Sequence, residues 1–357
     1  MKKSPPNRTR GHLVREALTG AWREEPARAA LTAEELAEVT PLLLGSGAAG
    51  LAWWRIRHTQ LRFTNEAEEL ERAYQLNVIR ASLQERQLEE VFRLLTSARV
   101  DALLIKGWAA GRSYPAKGLR PSGDLDLVVR PGQMDEALTL FGAPEAKQFF
   151  VDFEHEELEA LSAGEWDELF ARSREVAVGG GRVRLMSEED HLRFLSVHLL
   201  RHGAWRPLWL ADVAAALETR AESFDWERCL GSDPLRAGWV ACALGLAERL
   251  LGARIDDPAI AARARRLPKW MVSSVLKQWE RPCVMDRLPP ELMAETLRKR
   301  PIRIFGALLK RWPDPLQATI RMRAPVNRLP RFPFQMGEYV VRTASYMTRR
   351  PKLRRGQ

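Results

Sequence analysis

The sequence has little that would cross-link it or anchor it in a bilayer. Its 357 residues include three cysteines, Cys229, Cys242 and Cys283. That odd number without metal-ligand spacing excludes a disulfide framework or a zinc knuckle, and the thiols are expected to be reduced and buried in a cytoplasmic protein. No stretch approaches about 18 uncharged apolar residues, which excludes a transmembrane segment. The basic start has no apolar run behind it, because Arg15, Glu16, Arg23, Glu24 and Glu25 interrupt one, so it does not read as a secretory signal. There is no internal repeat. Acidic residues are scarce in one place: residues 298–357 hold only Asp314 and Glu338 against 16 Lys/Arg, a net of +14, whereas the whole chain carries +10. The basicity therefore belongs to the C-terminal sixth. What remains, 45% hydrophobic and 29% charged, is the composition of a folded chain with a sizeable core.

Four segments follow from the pattern. Residues 1–99 read as helical: Thr32 and Glu35 form a capping box, and residues 65–97 lack Gly and Pro. Leu76, Val78, Leu83, Leu88, Val91, Leu94 and Leu95 supply an apolar stripe to one long helix. Residues 100–186 change texture. Val100 to Ile105 is a short β-compatible run, Gly123 to Val129 a turn feeding a strand, Gln148 to Glu154 a further strand, and Gly179 to Leu185 a turn and strand edge. A short helix is expected between Gly132 and Phe141. Residues 187–297 return to helix, opened by Ser187 with Asp190, and residues 298–357 form the basic region. A small sheet framed by helices is an α+β arrangement.

The strongest chemical signal is Gly123-Asp124-Leu125-Asp126-Leu127-Val128-Val129. Side chains alternate across a strand, so Asp124 and Asp126 share one face while Leu125, Leu127 and Val129 take the other. Adjacent carboxylates are costly unless a cation neutralises them, and Mg²⁺ does so through carboxylates, water and substrate phosphates. Two such ions, with Mn²⁺ as a substitute, clamp an in-line phosphoryl displacement. Lys106 and Gly107 close an apolar strand ahead of an expected short helix from Trp108, a junction that presents backbone N–H groups to phosphate. Lys106, Arg120 and Ser122 are candidates to pair with phosphate oxygens, Arg120 through a bidentate fork.

The string Leu103-Leu-Ile-Lys-Gly107, Tyr114-Pro115 and Leu119-Arg-Pro-Ser-Gly-Asp-Leu-Asp-Leu-Val-Val129 resembles the uncharacterised nucleotidyltransferase family, within the DNA polymerase β-like superfamily. The resemblance covers about residues 65–255. It implies a polymerase β-like core and transfer of a nucleoside monophosphate from an NTP such as ATP, with release of pyrophosphate. Under it, Gly107 matches the loop glycine that binds nucleotide with Lys106, Arg120, Ser122 and Gly123. Asp124 and Asp126 match the metal ligands, and a third carboxylate falls at Asp152 or Glu154, which share a face. Trp108 departs from the superfamily's usual Gly or Ser, and the gap from Gly107 to Asp124 is long, which hands part of the phosphate-binding role to Ser122. His198 and His202 with Asp212, and Phe224-Asp225-Trp226, are similar to the family's helical parts.

His198 and His202 lie four apart on one helix face, a spacing that suits either an accessory metal site with Asp212 orienting one ring or a packed core. Most of the 12 tryptophans, Trp205 and Trp209 included, are expected in helix packing. The basic region carries Arg298-Lys-Arg300, Lys310-Arg311 and the run from Arg349 to Arg355, interleaved with Trp312, Phe332, Phe334, Tyr339 and Tyr346. It suits RNA, an anionic membrane surface, or the acidic body of the same molecule. Three functions stay open: transfer to a small-molecule, peptide or protein acceptor, a degenerate nucleotide sensor or partner-binding protein, and an RNA-directed transferase.

Overall fold

A computed structural model describes residues 8–154, 158, 163–282 and 312–349. Cys283, Arg298 to Arg300, Lys310-Arg311 and the run beyond Arg349 lie outside the described residues. The N-terminal region is helical as its caps require. Thr32 Oγ1 accepts from the Glu35 amide at 3.2 Å and Glu35 Oε2 accepts from the Thr32 amide at 3.0 Å, closing the capping box that opens helix Ala33–Gly45. Helices Arg10–Leu18 and Ala49–Ile56 flank it. Thr64 caps the long helix Asn65–Ser97, accepting from Ala67.

That long helix, about 50 Å at 1.5 Å per residue, spans two environments. Ala67 and Leu70 enter the helical core, while Leu88, Val91, Phe92 and Leu95 cover one face of the sheet. The expected continuous apolar stripe is broken between them. Leu76 and Leu83 are exposed, and the buried positions are Asn77 and Gln84. The reason is local: this middle stretch faces a polar loop, residues 118–124, rather than a core.

Five strands, β1 Ala102–Leu104, β2 Leu125–Val129, β3 Val151–Phe153, β4 Arg174–Val178 and β5 Gly181–Leu185, form one mixed sheet in the order β3-β2-β1-β5-β4. β1 is antiparallel to β2 and parallel to β5, β2 is parallel to β3, and β4 and β5 make a hairpin. β4 is the strand that the sequence pattern hid: its charged edge residues carry no clean alternation. The central strands β1 and β2 are buried on both faces, and period two sorts their residues. Ala102, Leu104, Leu125, Leu127 and Val129 pack with the long helix, whereas Leu103, Ile105 and Val128 pack with Trp166, Phe170, Met186 and Phe194. The architecture is α+β, a small open sheet within a mostly helical chain.

Beyond the sheet, Ser187 caps helix Glu188–Arg201, accepting from the Asp190 amide. Helices Pro207–Glu218, Trp226–Leu230, Pro234–Leu246, Pro258–Ala264 and Lys269–Trp279 follow, then Pro315–Arg321 and Phe332–Arg349. Helices from before and after the sheet share one core, in which Leu13, Leu36 and Leu51 join Leu199, Leu210, Leu244 and Met271. Gly11 permits a close approach there: a Cβ on it would lie 2.2 Å from the Leu276 carbonyl oxygen. Among the described residues no helix is long and apolar enough to cross a membrane.

Candidate active site

The parallel pairing of β2 with β3 sets Asp126 directly beside Asp152, and Asp124 stands one alternation before Asp126. One carboxylate oxygen from each of the three lies within 4.8 Å of the others, and among the described residues this is the one such group. Asp126 is buried while Asp124 and Asp152 are exposed, so the cluster has a fixed floor and an open mouth. Hard oxygen donors of this kind suit Mg²⁺ or Mn²⁺. The two readings of the third acid separate here, Asp152 standing within the cluster and Glu154 beside it.

Glu154 is engaged by Lys106. The Lys106 ammonium lies 2.8 Å from Asp126 Oδ1 and 3.0 Å from Glu154 Oε2, all three side chains nearly buried. Burial alone would lower the Lys106 pKa, but Asp126 and then Glu154 outweigh it and hold the ammonium well above its ordinary range. Burial also raises the Asp126 carboxyl against the pull of Lys106. Lys106, expected to meet phosphate, has its ammonium on Asp126 and Glu154 in this structure. Four carboxylates around one ammonium still leave an excess of negative charge, which a divalent cation would offset.

The loop glycine is required by geometry. Gly107 adopts φ +51° and ψ −113°, outside the regions open to side chains, and a Cβ there would meet Ser122 Oγ at 2.4 Å. Ser122 is held from the long helix, where Gln84 Nε2 donates to Ser122 Oγ at 2.8 Å and to the Asp124 carbonyl at 3.0 Å. Gly123 faces open space. The Trp108 indole N–H donates to Glu85 Oε1 at 3.2 Å and its ring packs against the sheet core. Gln84 and Glu85 were missed in sequence. Asn77 and Gln84, seven apart on an otherwise apolar face, were the available signal.

Arg120 lies elsewhere than expected. Its Nη2 lies 3.1 Å from Asp212 Oδ2, Nε is 3.3 Å from both Asp212 oxygens, and Nη1 donates to the Pro121 carbonyl at 2.8 Å. Tyr114 donates to Asp212 Oδ1 at 2.8 Å. Burial opposes the Arg120 charge but Asp212 more than restores it. The bidentate fork is therefore a buried internal pair, and Asp212 orients Arg120 and Tyr114 rather than a histidine.

The His198 and His202 rings lie 4.5 Å apart, tilted by 50°, with Trp209 at 4.9 and 5.2 Å from them. No third ligand is grouped with them among the described residues, and Phe194 and Trp209 pack on the His198 ring. His191, which the sequence reading passed over, reaches the Ile105 carbonyl with Nε2 at 2.9 Å and fixes this helix under the end of β1. Burial pushes His191 down to about 4, and burial pushes His198 and His202 each down to about 3. These rings are neutral in the fold and titrate near their ordinary value only when unfolded. The unfolded chain therefore binds more protons below pH 6.5, and stability falls as pH falls. Denaturant unfolding at pH 7.5, 6.5, 5.5 and 4.5 is expected to show a loss approaching about 4 kcal/mol per pH unit once all three titrate. A flat profile would contradict the burial of the rings.

A family model described as an uncharacterised nucleotidyltransferase matches residues 33–252. The match begins earlier than about residue 65, where the sequence resemblance started, and takes in the helices packed on the long helix. No curated protein and no solved structure matches the chain.

Proposed function

The chain belongs to the uncharacterised nucleotidyltransferase family, and from that membership we propose that it moves a nucleoside monophosphate from an NTP to an acceptor bearing a hydroxyl, phosphate or carboxylate. The observation that carries the reading is the carboxylate cluster of Asp124, Asp126 and Asp152 on adjacent parallel strands. These three residues would hold Mg²⁺, which when bound neutralises the triphosphate and polarises its α-phosphate. The chain's own part is positioning. Lys106 balances Asp126 and Glu154 at the floor, and the conformation of Gly107 lets the backbone pass close over Ser122. Gln84 ties the Asp124 backbone to a 33-residue helix, so the open side of the cluster moves little as substrate arrives. The acceptor oxygen attacks the α-phosphorus, and pyrophosphate departs with the electron pair of the broken bond.

Calorimetric titration of the full chain with each of four NTPs, with and without Mg²⁺, tests this. The expected result is binding that needs the cation and favours one base, accompanied by slow pyrophosphate release. Absence of binding by every NTP in Mg²⁺ and in Mn²⁺ would remove the nucleotidyl-transfer reading.

A further inference from the structure

Among the described residues, apolar side chains are left in solvent as Leu76, Ile79 and Leu83 on the long helix, and as a second set on the last described helix and its lead-in. Leu329, Phe332, Met336 and Val340 are 62%, 61%, 40% and 58% exposed, with Val341 beside them at 53%. Spacings of four set Phe332, Met336 and Val340 toward one side of Phe332–Arg349, and Leu329 stands just before the helix. The other side is anchored. Glu338 is buried against Arg321 at 3.2 Å, and the Trp312 ring stacks on Phe332 and Tyr339 at 5.6 and 5.9 Å. The helix is thus seated on the body with an apolar edge outward.

Charge accompanies that edge. Both acids among residues 298–357 are turned inward: Glu338 as described, and Asp314 on the amides of Leu316 and Gln317 and the side chains of Ser274 and Gln278. Arg323 and Arg328 are exposed, and the sequence continues through Arg349-Arg-Pro-Lys-Leu-Arg-Arg355. The segment therefore offers apolar and positive surface with no exposed carboxylate of its own among the described residues. RNA would answer the arginines and stacking rings, but an aliphatic edge of Leu, Met and Val gives a polyanion nothing to bind. A lipid surface answers both, with anionic headgroups over hydrocarbon.

We propose that helix Phe332–Arg349 docks the protein on an anionic lipid surface, with Leu329, Met336 and Val340 entering the acyl boundary and Arg323 and Arg328 meeting headgroups. The docking does not depend on nucleotidyl transfer. The test is sedimentation of the full chain with vesicles of phosphatidylcholine alone or with roughly 30% phosphatidylglycerol. Partition is expected only with the anionic vesicles. Met336→Glu with Val340→Glu, both exposed, should lower it about tenfold, and Arg323→Gln with Arg328→Gln should lower it by up to about fivefold per residue. Circular dichroism establishes that each variant is folded. Equal partition onto neutral vesicles, no partition at all, retention by RNA in place of vesicles, or a folded glutamate variant that partitions like wild type would each overturn the proposal.

Discussion

Asparagine in place of Asp126 is expected to lower nucleotidyl transfer by about a thousandfold or more, while the chain stays folded. Asp126 is the one buried member of the cluster and the one held from two sides, by Lys106 at 2.8 Å and by strand pairing with Asp152. Asparagine keeps the volume and an oxygen for Lys106 to donate to, so the change removes charge and little else. Lys106 also retains Glu154 at 3.0 Å, which keeps its buried ammonium from standing unpaired. The stability cost is therefore expected at roughly 1–3 kcal/mol, well under the loss in rate. Pyrophosphate release, cation-dependent NTP affinity and a thermal melt, taken together, separate the two effects. Turnover at the wild-type rate in Asp126→Asn would end the assignment of this cluster as the catalytic centre.

Much of this site was legible because its signals are local. Alternation placed Asp124 and Asp126 opposite Leu125, Leu127 and Val129, and those three leucine and valine side chains do line the sheet core. Thr32 with Glu35 and Ser187 with Asp190 are cap signatures confined to a few residues, and both formed as read. Asp152 and Glu154 share a face by alternation, so spacing alone could not divide them. What parts them is register across strands, and the distance to Lys106, a residue 48 positions from Glu154.

What spacing left open has the same origin. An arginine next to a turn looks available for phosphate until its partner, 92 residues away in sequence, arrives from another helix. Two histidines four apart suit a ligand pair or a packed core by spacing alone, and only the fold brings Trp209 and Phe194 against them. The long helix was read as one stripe because periodicity reports amphipathicity, not which neighbour each stretch will meet. Its middle third meets a polar loop, so Gln84 is inside and Leu83 outside.

The anchoring role of Arg120 gives the second large effect, this time on stability. Replacing Asp212 by alanine strands a guanidinium that is almost wholly buried and takes the acceptor from the Tyr114 hydroxyl. Removing one partner of a buried ion pair costs about 3–5 kcal/mol, so Asp212→Ala is expected to unfold at clearly lower denaturant. The consequence reaches the site because Arg120 leads through Pro121, Ser122 and Gly123 directly into Asp124. Helix Pro207–Glu218, which carries Asp212, is what fixes that approach from below. The double change Arg120→Met with Asp212→Leu exchanges the pair for apolar groups of similar volume and should recover most of the loss. Its NTP affinity then decides the role of Arg120. Affinity that returns together with stability makes the pair an internal strut for the Asp124 loop. Affinity that stays weak in a restored fold would show that Arg120 touches phosphate after all, as its place beside the turn first implied.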